Sequence, residues 1–391
     1  MPKSSSAMRS KLPNTGTTIF SVMSLLAAEH HAVNLGQGFP GFPIDSKLID
    51  LVSKYMYRGF NQYAPMPGVP ALRELLSAKM KKSYGTSYNP NTEITITAGA
   101  TQAIFTAITA FIHPGDEVIV FAPAYDCYAP AVEICGGKVI WVEMDYPDYS
   151  VNWEVVKEKI NSRTRMIVIN TPQNPAAAIW SKEDMHALQA LVSDTDIIVL
   201  SDEVYEHIVF DGLNHQSCAL FEDLAARSLI VYSFGKTLHA TGWKMGYVVG
   251  PAHLMSEFRK VHQYNVFSCS TPVQHAIAEY MTDEEVYNGL SLFFQGKRDL
   301  FLAAVQGAPF EKKPSAGSYF QLMKYNNWQN HNDVDLAKKW TIDLGITCIP
   351  LSVFYPSDKN EGIFRFCFAK EDDILFEAAQ RLKQIDKTHA K

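Results

Sequence analysis

The chain has 391 residues, of which 47% are hydrophobic and 19% are charged, as in an ordinary globular protein with a sizeable core. The net charge of −6 and the pI near 6.1 exclude the basic excess of a nucleic-acid-binding protein. No stretch reaches the roughly 18 consecutive apolar residues of a membrane helix. We therefore expect no nucleic-acid partner and no membrane segment, in a chain long enough for one large domain and a smaller one.

Cysteine and histidine usage argues against disulfides and metals. The six cysteines are far apart and form no CxxC pair, and the 12 histidines are dispersed. Residues 1–6 lead into no apolar core, so we expect no signal peptide. These features predict reduced thiols, no metal site and a cytoplasmic protein.

The predicted elements divide the chain into three parts. Residues 1–45 alternate too little between strand and helix patterns to belong to a sheet, and we expect an arm that packs on a small domain or on a partner subunit. Residues 46–285 contain the strand–helix alternation of a large domain. From about residue 270 the pattern shifts to longer helical stretches and then to a mixed segment, which predicts a small α+β domain over 286–391.

Seven runs rich in valine and isoleucine predict the strands of the large domain. Helix-compatible stretches such as 102–112 and 182–193 lie between most of them, a pattern typical of a mostly parallel sheet covered by helices. We therefore predict an α/β fold with a seven-stranded sheet. The runs are 94–97, 117–121, 138–142, 166–170, 197–200, 229–233 and 246–249.

Polar residues follow several of these runs, at the sheet edge where such folds bind ligands. Gly99 precedes an apolar helix, and a glycine turn before a helix exposes N–H groups that suit a phosphate. An ordinary turn that connects a strand to a helix would give the same pattern. Asn174 follows 166–170 in a proline-containing turn. Asp202 follows the run 197–200, where burying a carboxylate is energetically unfavourable unless it is paired or hydrogen-bonded. Taken alone, Asp202 could equally well be the N-cap of a helix.

Lys236 follows the sixth run, and Ser233 stands three residues before it. A desolvated lysine amine can form a Schiff base with a carbonyl, and a hydroxyl near backbone N–H groups can hold phosphate. Taken alone, Lys236 could instead be a solvent-exposed lysine in a loop. A Walker A loop needs a glycine where Ile230 stands, and the companion motifs of penicillin-recognising enzymes are absent. Residues 36–41 spell a dinucleotide fingerprint, but nearby prolines oppose the helix that it requires.

Six segments together resemble the class I aminotransferases of pyridoxal-phosphate fold type I, most closely the methionine aminotransferase branch, which is similar to the kynurenine and glutamine aminotransferases. The resemblance runs from about residue 17 to the C-terminus. The segments are NLGQGFP at 34–40, NQYAP at 61–65, SDEVYEH at 201–207, SFGKT at 233–237, TGWKMGY at 241–247 and PLSVF at 350–354.

The resemblance implies a transaminase that uses pyridoxal 5′-phosphate, amino acids and 2-oxo acids, and a homodimer with shared active sites. Lys236 would be the Schiff-base lysine and would carry the proton. Asp202 would pair with the pyridine nitrogen and keep it protonated. Tyr205 and Asn174 would hydrogen-bond the ring oxygen. The other cofactor contacts that it implies are Ala100, Thr101, Ser233 and Lys244 at the phosphate, Tyr125 stacked on the ring, and Tyr63 reaching the phosphate from the neighbouring subunit.

The resemblance also implies how substrate would bind. Arg365 would clamp the substrate carboxylate through a bidentate fork, assisted by Gly38 and Asn174. Phe20, with other aromatic residues, would line a pocket for uncharged and fairly large side chains such as methionine, phenylalanine, tyrosine, glutamine or kynurenine. Two positions depart from the commoner pattern: Lys244 replaces an arginine, and Gln173 replaces an asparagine or histidine.

Two other functions remain open at this point. A carbon–sulfur β-lyase on the same scaffold would need the same Lys236 and Asp202. A catalytically dead scaffold or sensor would not need the intact set of reactive residues that the chain carries. Lys244 is the one serious competitor of Lys236 for the Schiff base, and Lys236 is preferred because it directly follows a predicted strand with Ser233 beside it.

Overall fold

The computed structural model describes residues 10–13, 15–327, 329, 331–357 and 359–386. The strands are β1 (Val33–Asn34), β2 (Ile94–Thr97), β3 (Glu117–Ala122), β4 (Lys138–Glu143), β5 (Thr164–Asn170), β6 (Ile198–Asp202), β7 (Ser228–Ser233), β8 (Gly246–Val249), β9 (Phe310–Lys312), β10 (Phe320–Tyr325), β11 (Ile346–Thr347), β12 (Ile349–Pro350) and β13 (Ile363–Cys367).

The α-helices lie between and after these strands, with short 3₁₀ segments at Cys218–Leu220, Thr241–Trp243 and Leu351–Phe354. The helices are α1 (Ile19–Glu29), α2 (Ser46–Tyr57), α3 (Pro70–Tyr84), α4 (Ala100–Phe111), α5 (Tyr128–Ile134), α6 (Trp153–Lys159), α7 (Lys182–Val192), α8 (Glu222–Ala225), α9 (Phe234–Thr237), α10 (Ala252–Asn265), α11 (Thr271–Tyr280), α12 (Glu285–Asn288), α13 (Leu290–Ala304), α14 (Asp333–Asp343) and α15 (Asp372–Leu382).

The predicted seven-stranded sheet is confirmed, with the order β2-β8-β7-β6-β5-β3-β4. Its neighbours pair in parallel except at β8, which is antiparallel to both β2 and β7. Alternate residues of β5 enter separate hydrophobic clusters: Ile167 and Ile169 pack on one face, and Met166 and Val168 pack on the other. Both faces are therefore covered, which explains why these strands are nearly continuous apolar runs.

One strand boundary differs from the sequence prediction in a way that matters for the site. Strand β6 continues to Asp202, whose Cα pairs in the ladder with Asn170 and Val231. No helix begins after Asp202 in this described stretch; residues 204–207 form a turn. The carboxylate is thus fixed by the strand itself rather than used as a helix cap.

A second, antiparallel sheet has the order β12-β13-β10-β9. Helices α13 and α15 pack on each other, and α14 packs near β12 and β13. Helix α1 contacts α14, and β1 pairs in parallel with β11 in a separate two-stranded sheet, so residues near the start of the chain are tied by backbone hydrogen bonds to a late part of the chain. In this arrangement the carboxyl edge of the seven-stranded sheet faces residues carried by β10 and β13.

Within the described ranges, no helix has both the length and the apolar character needed to cross a membrane. The same residues contain no cluster of three or more histidine, cysteine, aspartate or glutamate side chains that could hold a metal ion.

A buried ion pair lies behind the turn that follows β6. Lys79 Nζ lies 2.7 Å from Glu206 Oε1, and the two side chains are only 2% and 3% exposed. Tyr84 and Tyr247 donate their hydroxyls to the same carboxylate. Burial opposes the charge on Glu206, yet His207 and Lys79 hold its pKa below the usual range. Because burial also lowers the pKa of His207, the cation that stabilises Glu206 is Lys79.

Replacing Lys79 with methionine should lower the free energy of unfolding by about 3–5 kcal/mol, because Glu206 would remain buried without its cation. Equilibrium denaturation would measure the loss. Lys260→Met is the matched control, since it removes an ion pair with Glu257 whose side chains are 67% and 49% exposed, and such pairs contribute at most about 1 kcal/mol. Equal losses in the two variants would contradict the importance of the buried pair.

Candidate active site

A cavity of about 260 Å³ lies at the carboxyl edge of the seven-stranded sheet, where β2, β5, β6 and β7 end. Most of the site residues predicted from sequence line this one cavity, although they are spread over more than 300 positions. Those that line it are Phe20, Gly38, Ala100, Thr101, Tyr125, Asn174, Asp202, Tyr205, Ser233, Lys236, Lys244 and Arg365.

Lys236 projects into the interior of the cavity from the short helix α9, directly after β7. Its Nζ lies 2.9 Å from the Tyr319 hydroxyl and 3.2 Å from the Gly38 carbonyl oxygen. Burial lowers the pKa of the amine to about 8, with the positive charges of Arg365 and Lys244 acting in the same direction. A sizeable fraction of the amine is therefore neutral near physiological pH, and the neutral form is the nucleophile that a carbonyl requires.

Asp202 presents a buried carboxylate without a protein cation. Tyr128 donates its hydroxyl to Oδ2 at 2.6 Å, and the Val204 N–H donates to Oδ1 at 3.3 Å. Burial raises the pKa of Asp202 to about 6, while these two hydrogen bonds act against the rise. No lysine or arginine nitrogen in the described ranges approaches within 4.0 Å, so the carboxylate is arranged to accept a cation from a bound group.

Arg365 is the opposite case, a buried cation that forms no ion pair within 4.0 Å with a carboxylate of the described residues. It is 1% exposed, donates from Nη2 to the Gly36 carbonyl at 3.0 Å and from Nη1 to Asn174 Oδ1, and leaves Nε without a partner. Phe320 lies against it, with 4.0 Å between the guanidinium carbon and the ring centroid. Burial lowers the pKa of Arg365 to about 10. A buried guanidinium with an unused donor is suited to a carboxylate ligand.

Asn174 is held by a second asparagine. Asn170, the last residue of β5, accepts the Asn174 N–H on Oδ1 at 2.8 Å and donates from Nδ2 to the Asp202 carbonyl at 2.8 Å. Asn170 therefore links the ends of β5 and β6. As a result, Asn174 stands between the carboxylate of Asp202 and the guanidinium of Arg365, within reach of ligands at both.

The N-terminus of α4 forms an anion seat at one end of the cavity. Its N-cap residue Gly99 has φ +80° and no side chain caps the helix, so the first N–H groups, from Ala100 and Thr101, face the cavity. A Cβ at Gly99 would lie 3.6 Å from Lys244 Cε, which places the lysine side chain over this turn. Ser233 and Thr241 add hydroxyls to the lining. Lys244 thus lies at the anion seat, whereas Lys236 lies in the interior.

Two tyrosines flank the interior of the cavity. Tyr205 is buried, its ring centroid lies 5.6 Å from Lys236 Nζ, and burial raises the pKa of its hydroxyl. A hydroxyl kept protonated in this way can donate a hydrogen bond to a ligand oxygen. Tyr125 lines the cavity with its ring 5.9 Å from that of Tyr128. Both rings offer contacts for a flat ligand above Asp202.

Tyr63 is the one predicted site residue that does not line the cavity of its own chain. Its side chain is 82% exposed, and its ring packs edge-on against Phe267 at 5.3 Å. The contribution of Tyr63 to the site of a neighbouring subunit therefore stays a prediction.

Sequence reasoning missed several residues that shape the site. Asn170 carried a usable signal, because it is a polar residue at the end of an apolar strand. Tyr128 opens α5 three residues after Tyr125, but only the folded structure shows that it reaches Asp202. Tyr319 and Phe320 stand in a segment that reads simply as a strand, and nothing local indicates that they contact Lys236 and Arg365.

The arrangement fits pyridoxal 5′-phosphate. The anion seat suits a phosphate, the unpaired Asp202 carboxylate suits a protonated ring nitrogen, and the desolvated Lys236 amine suits an aldehyde. The Arg365 guanidinium, which lines the same cavity, suits a substrate carboxylate. Cofactor and amino acid substrate are thus matched by separate groups in one cavity.

Comparison with known proteins gives the same answer over nearly the whole chain. The sequence pattern described as "Aminotransferase class I and II" matches residues 30–382. A methionine aminotransferase of Escherichia coli K12 is 44% identical, covering 96% of this chain and 98% of the relative. Human kynurenine–oxoglutarate transaminase 1 is 33% identical, covering 92% of this chain and 93% of the relative.

Solved structures agree with the fold. The E. coli protein for which a methionine aminotransferase function was identified superposes with a TM-score of 0.94 at 44% identity, covering 96% of this chain and 99% of the other. Thermus thermophilus aspartate aminotransferase with maleate gives a TM-score of 0.88 at 27% identity, covering 97% and 100%. The family and cofactor predicted from the six sequence segments are confirmed: the chain belongs to the class I and II aminotransferases and is a pyridoxal-phosphate-dependent transaminase.

Proposed function

We propose that this enzyme takes the amino group from an amino acid with an uncharged, fairly large side chain, such as methionine, an aromatic residue, glutamine or kynurenine, and passes it to a 2-oxo acid. The observation that carries the proposal is the surroundings of Arg365. The rings of Phe320, Phe20 and Phe354 lie 4.0, 5.1 and 5.3 Å from its guanidinium carbon. A side chain entering beside the carboxylate site would meet aromatic surface, which favours apolar substrates.

The names of the relatives support the same substrate class, since methionine and kynurenine aminotransferases are among them. The charged side chains that line the cavity are Asp202, Lys236, Lys244 and Arg365, each of which has a partner in the proposed scheme. A dicarboxylate substrate would need a further cation, and this lining offers none from the described part of the chain. No observation favours a β-lyase over a transaminase.

In the proposed mechanism, Arg365 and Asn174 bind the substrate carboxylate and fix the direction of the α-carbon–hydrogen bond. The bound cofactor supplies an electron sink for the charge that develops when this bond is broken. Lys236 would take up the α-proton on its neutral amine and later release it. Asp202 would keep the ring nitrogen of the bound cofactor protonated, and Tyr205 would donate a hydrogen bond to the ring oxygen.

The α4 N-terminus would hold the phosphate together with Ser233 and Lys244. Lysine in place of the arginine common among relatives keeps a positive charge here without the planar fork. This end of the cavity anchors the cofactor while the chemistry occurs about the Lys236 amine. The burial of Asp202 and Arg365 limits the screening of their charges by water, which strengthens the interactions that they make with a bound ligand.

We further propose a homodimer in which Tyr63 reaches the phosphate of the partner's site. The support is Tyr63 itself, which is 82% exposed and whose ring lies 5.3 Å from that of Phe267, a second exposed aromatic residue. Exposed large side chains of this kind are suited to being covered by a second copy of the chain.

We also propose a division of the chain into domains and a cellular location. The chain divides into an arm over 1–45, a cofactor-binding domain over 46–285 and a small domain over 286–391, supported by the separate seven-stranded and four-stranded sheets and by the β1–β11 pairing. A cytoplasmic location is supported by the six cysteines, all of which are free thiols.

The substrate proposal is tested with the purified protein and a panel of amino donors against several 2-oxo acids. Methionine and the aromatic donors should turn over faster than aspartate, and Lys236→Ala should abolish turnover and the visible absorbance of the bound cofactor. Arg365→Lys should raise KM by about 10- to 100-fold through loss of the bidentate fork. Preference for aspartate would contradict the substrate class, and release of pyruvate and ammonia without an oxo acid acceptor would indicate a lyase.

The Lys236 amine should titrate below the other lysines. Its folded-state pKa is about 8 against the ordinary value near 10.4, so its neutral fraction should rise through pH 8. Cofactor-free protein treated with a limiting acylating reagent, with peptides quantified by mass spectrometry, should show Lys236 reacting with a midpoint near pH 8. Lys260, an exposed lysine, serves as the internal reference for the reaction. A common midpoint for the two would contradict the depressed pKa.

Shared active sites can be tested with hybrid dimers. Tyr63→Ala and Lys236→Ala homodimers should each be nearly inactive. After the two are mixed, unfolded and refolded together, half of the dimers should be hybrids in which one site carries both changes and the other carries neither. Activity should then recover to about a quarter of the wild-type value for a symmetric dimer. No recovery, with hybrids verified by mass spectrometry, would place Tyr63 outside the partner's site.

A further inference from the structure

Tyr319 contacts the reactive lysine directly, although no role has been assigned to it so far. It lies just before β10 and is fully buried. Its hydroxyl oxygen is 2.7 Å from the Gly38 carbonyl oxygen and 2.9 Å from Lys236 Nζ, and Nζ is itself 3.2 Å from the same carbonyl. The three polar groups form a closed triangle inside the cavity wall.

The direction of each hydrogen bond in this triangle is determined by the chemistry of its members. The Gly38 carbonyl can only accept, so the single proton of the Tyr319 hydroxyl is donated to it. Burial raises the pKa of Tyr319 well above its ordinary value, which keeps that proton in place. Towards Lys236 the hydroxyl can therefore only accept.

Two acceptors thus face the amine, and a neutral amine has two N–H bonds and one lone pair. When Lys236 donates one N–H to Tyr319 and the other to Gly38, its lone pair must point away from both of them. The remaining direction is into the cavity, where the substrate's α-carbon would lie. The triangle therefore selects one rotation of the amine out of several that its flexible side chain allows.

We propose that Tyr319 is a positioning residue that orients the Lys236 amine, so that its lone pair faces the α-proton of the substrate. The inference rests on the proposed transaminase mechanism, in which Lys236 is the base. Tyr319 does not touch the reacting atoms; it acts through the lysine.

The ring of Tyr319 is well held for this purpose. Its centroid lies 5.0 Å from that of Tyr205, 5.7 Å from Phe294 and 5.0 Å from Phe320. Its carbonyl oxygen accepts the Phe368 N–H at 3.1 Å. Helix α13 and the second sheet thus fix the position of the hydroxyl, while β7 and α9 carry the lysine. The orientation of the base depends on the contact between the two parts of the molecule.

Tyr319→Phe tests the proposal because it keeps the ring and removes only the hydroxyl. With methionine as donor, kcat should fall about tenfold, the scale of one lost hydrogen bond, while KM changes little. The primary isotope effect with α-deuterated methionine should increase, because proton removal becomes more limiting. In cofactor-free protein, the acylation midpoint of Lys236 should move to lower pH, because an acceptor that favours the protonated amine is lost.

Tyr88→Phe is the matched control, since it removes a buried hydroxyl that has no hydrogen-bond partner and lies outside the cavity lining. It should leave kcat, the isotope effect and the acylation midpoint unchanged. If Tyr319→Phe lowers activity but moves neither the isotope effect nor the midpoint, Tyr319 is merely structural and the proposal is overturned. Unchanged values throughout would overturn it equally.

The failure of the proposed function would look different. A wild-type protein that does not deaminate methionine or any other donor would remove the mechanism, whereas the acylation midpoint of Lys236 in the cofactor-free chain would still report whether Tyr319 accepts from the amine. A shifted midpoint without transamination therefore refutes the mechanism alone. An unshifted midpoint in an active enzyme refutes the role of Tyr319 alone.

Discussion

The active site depends on burying charges that the protein does not neutralise. Arg365 and Asp202 are both almost fully enclosed, and neither has an oppositely charged protein side chain within ion-pair distance in the described part of the chain. Holding such groups in place costs stability, because water would solvate them better than the cavity does. The cost is offset only when the cofactor and substrate bring the missing charges. The same unneutralised charges of Arg365 and Asp202 therefore serve both ligand recognition and catalysis.

Rigid secondary structure holds each of these two charged side chains in place. Asp202 is the last residue of a central strand and is hydrogen-bonded by Tyr128, so it cannot turn away to solvent. Arg365 lies in the middle of β13 between β10 and β12, and Phe320 covers its face. The neighbouring Lys79–Glu206 pair, by contrast, is fully matched and stabilises the turn that carries Tyr205. The unmatched charges of Asp202 and Arg365 thus lie in the cavity where a ligand is expected.

The sequence predicted the parts of the site that follow from strand order. Residues at the ends of parallel strands meet at one edge, so the approach of Asn174, Asp202 and Lys236 could be expected from the alternation of apolar runs alone. The family resemblance added Arg365 and Tyr63, which no local pattern would identify. Tyr128 and Tyr319 escaped both arguments. Their contacts depend on how α5 packs on the sheet and how the second sheet docks, and neither is encoded in local periodicity.

The pairing of β1 with β11 has a consequence for any shortened form of the enzyme. The Leu35 carbonyl accepts the Cys367 N–H at 2.7 Å, and the Gly36 carbonyl accepts from Arg365, so the early backbone completes the substrate end of the cavity. Phe20 in α1 contributes its ring to the same place, and Thr18 caps that helix. Loss of residues 18–36 would strip the guanidinium of both its carbonyl and this aromatic neighbour. These residues are therefore an integral wall of the catalytic chamber, and fusion or trimming strategies must leave the chain intact from Thr18 onward.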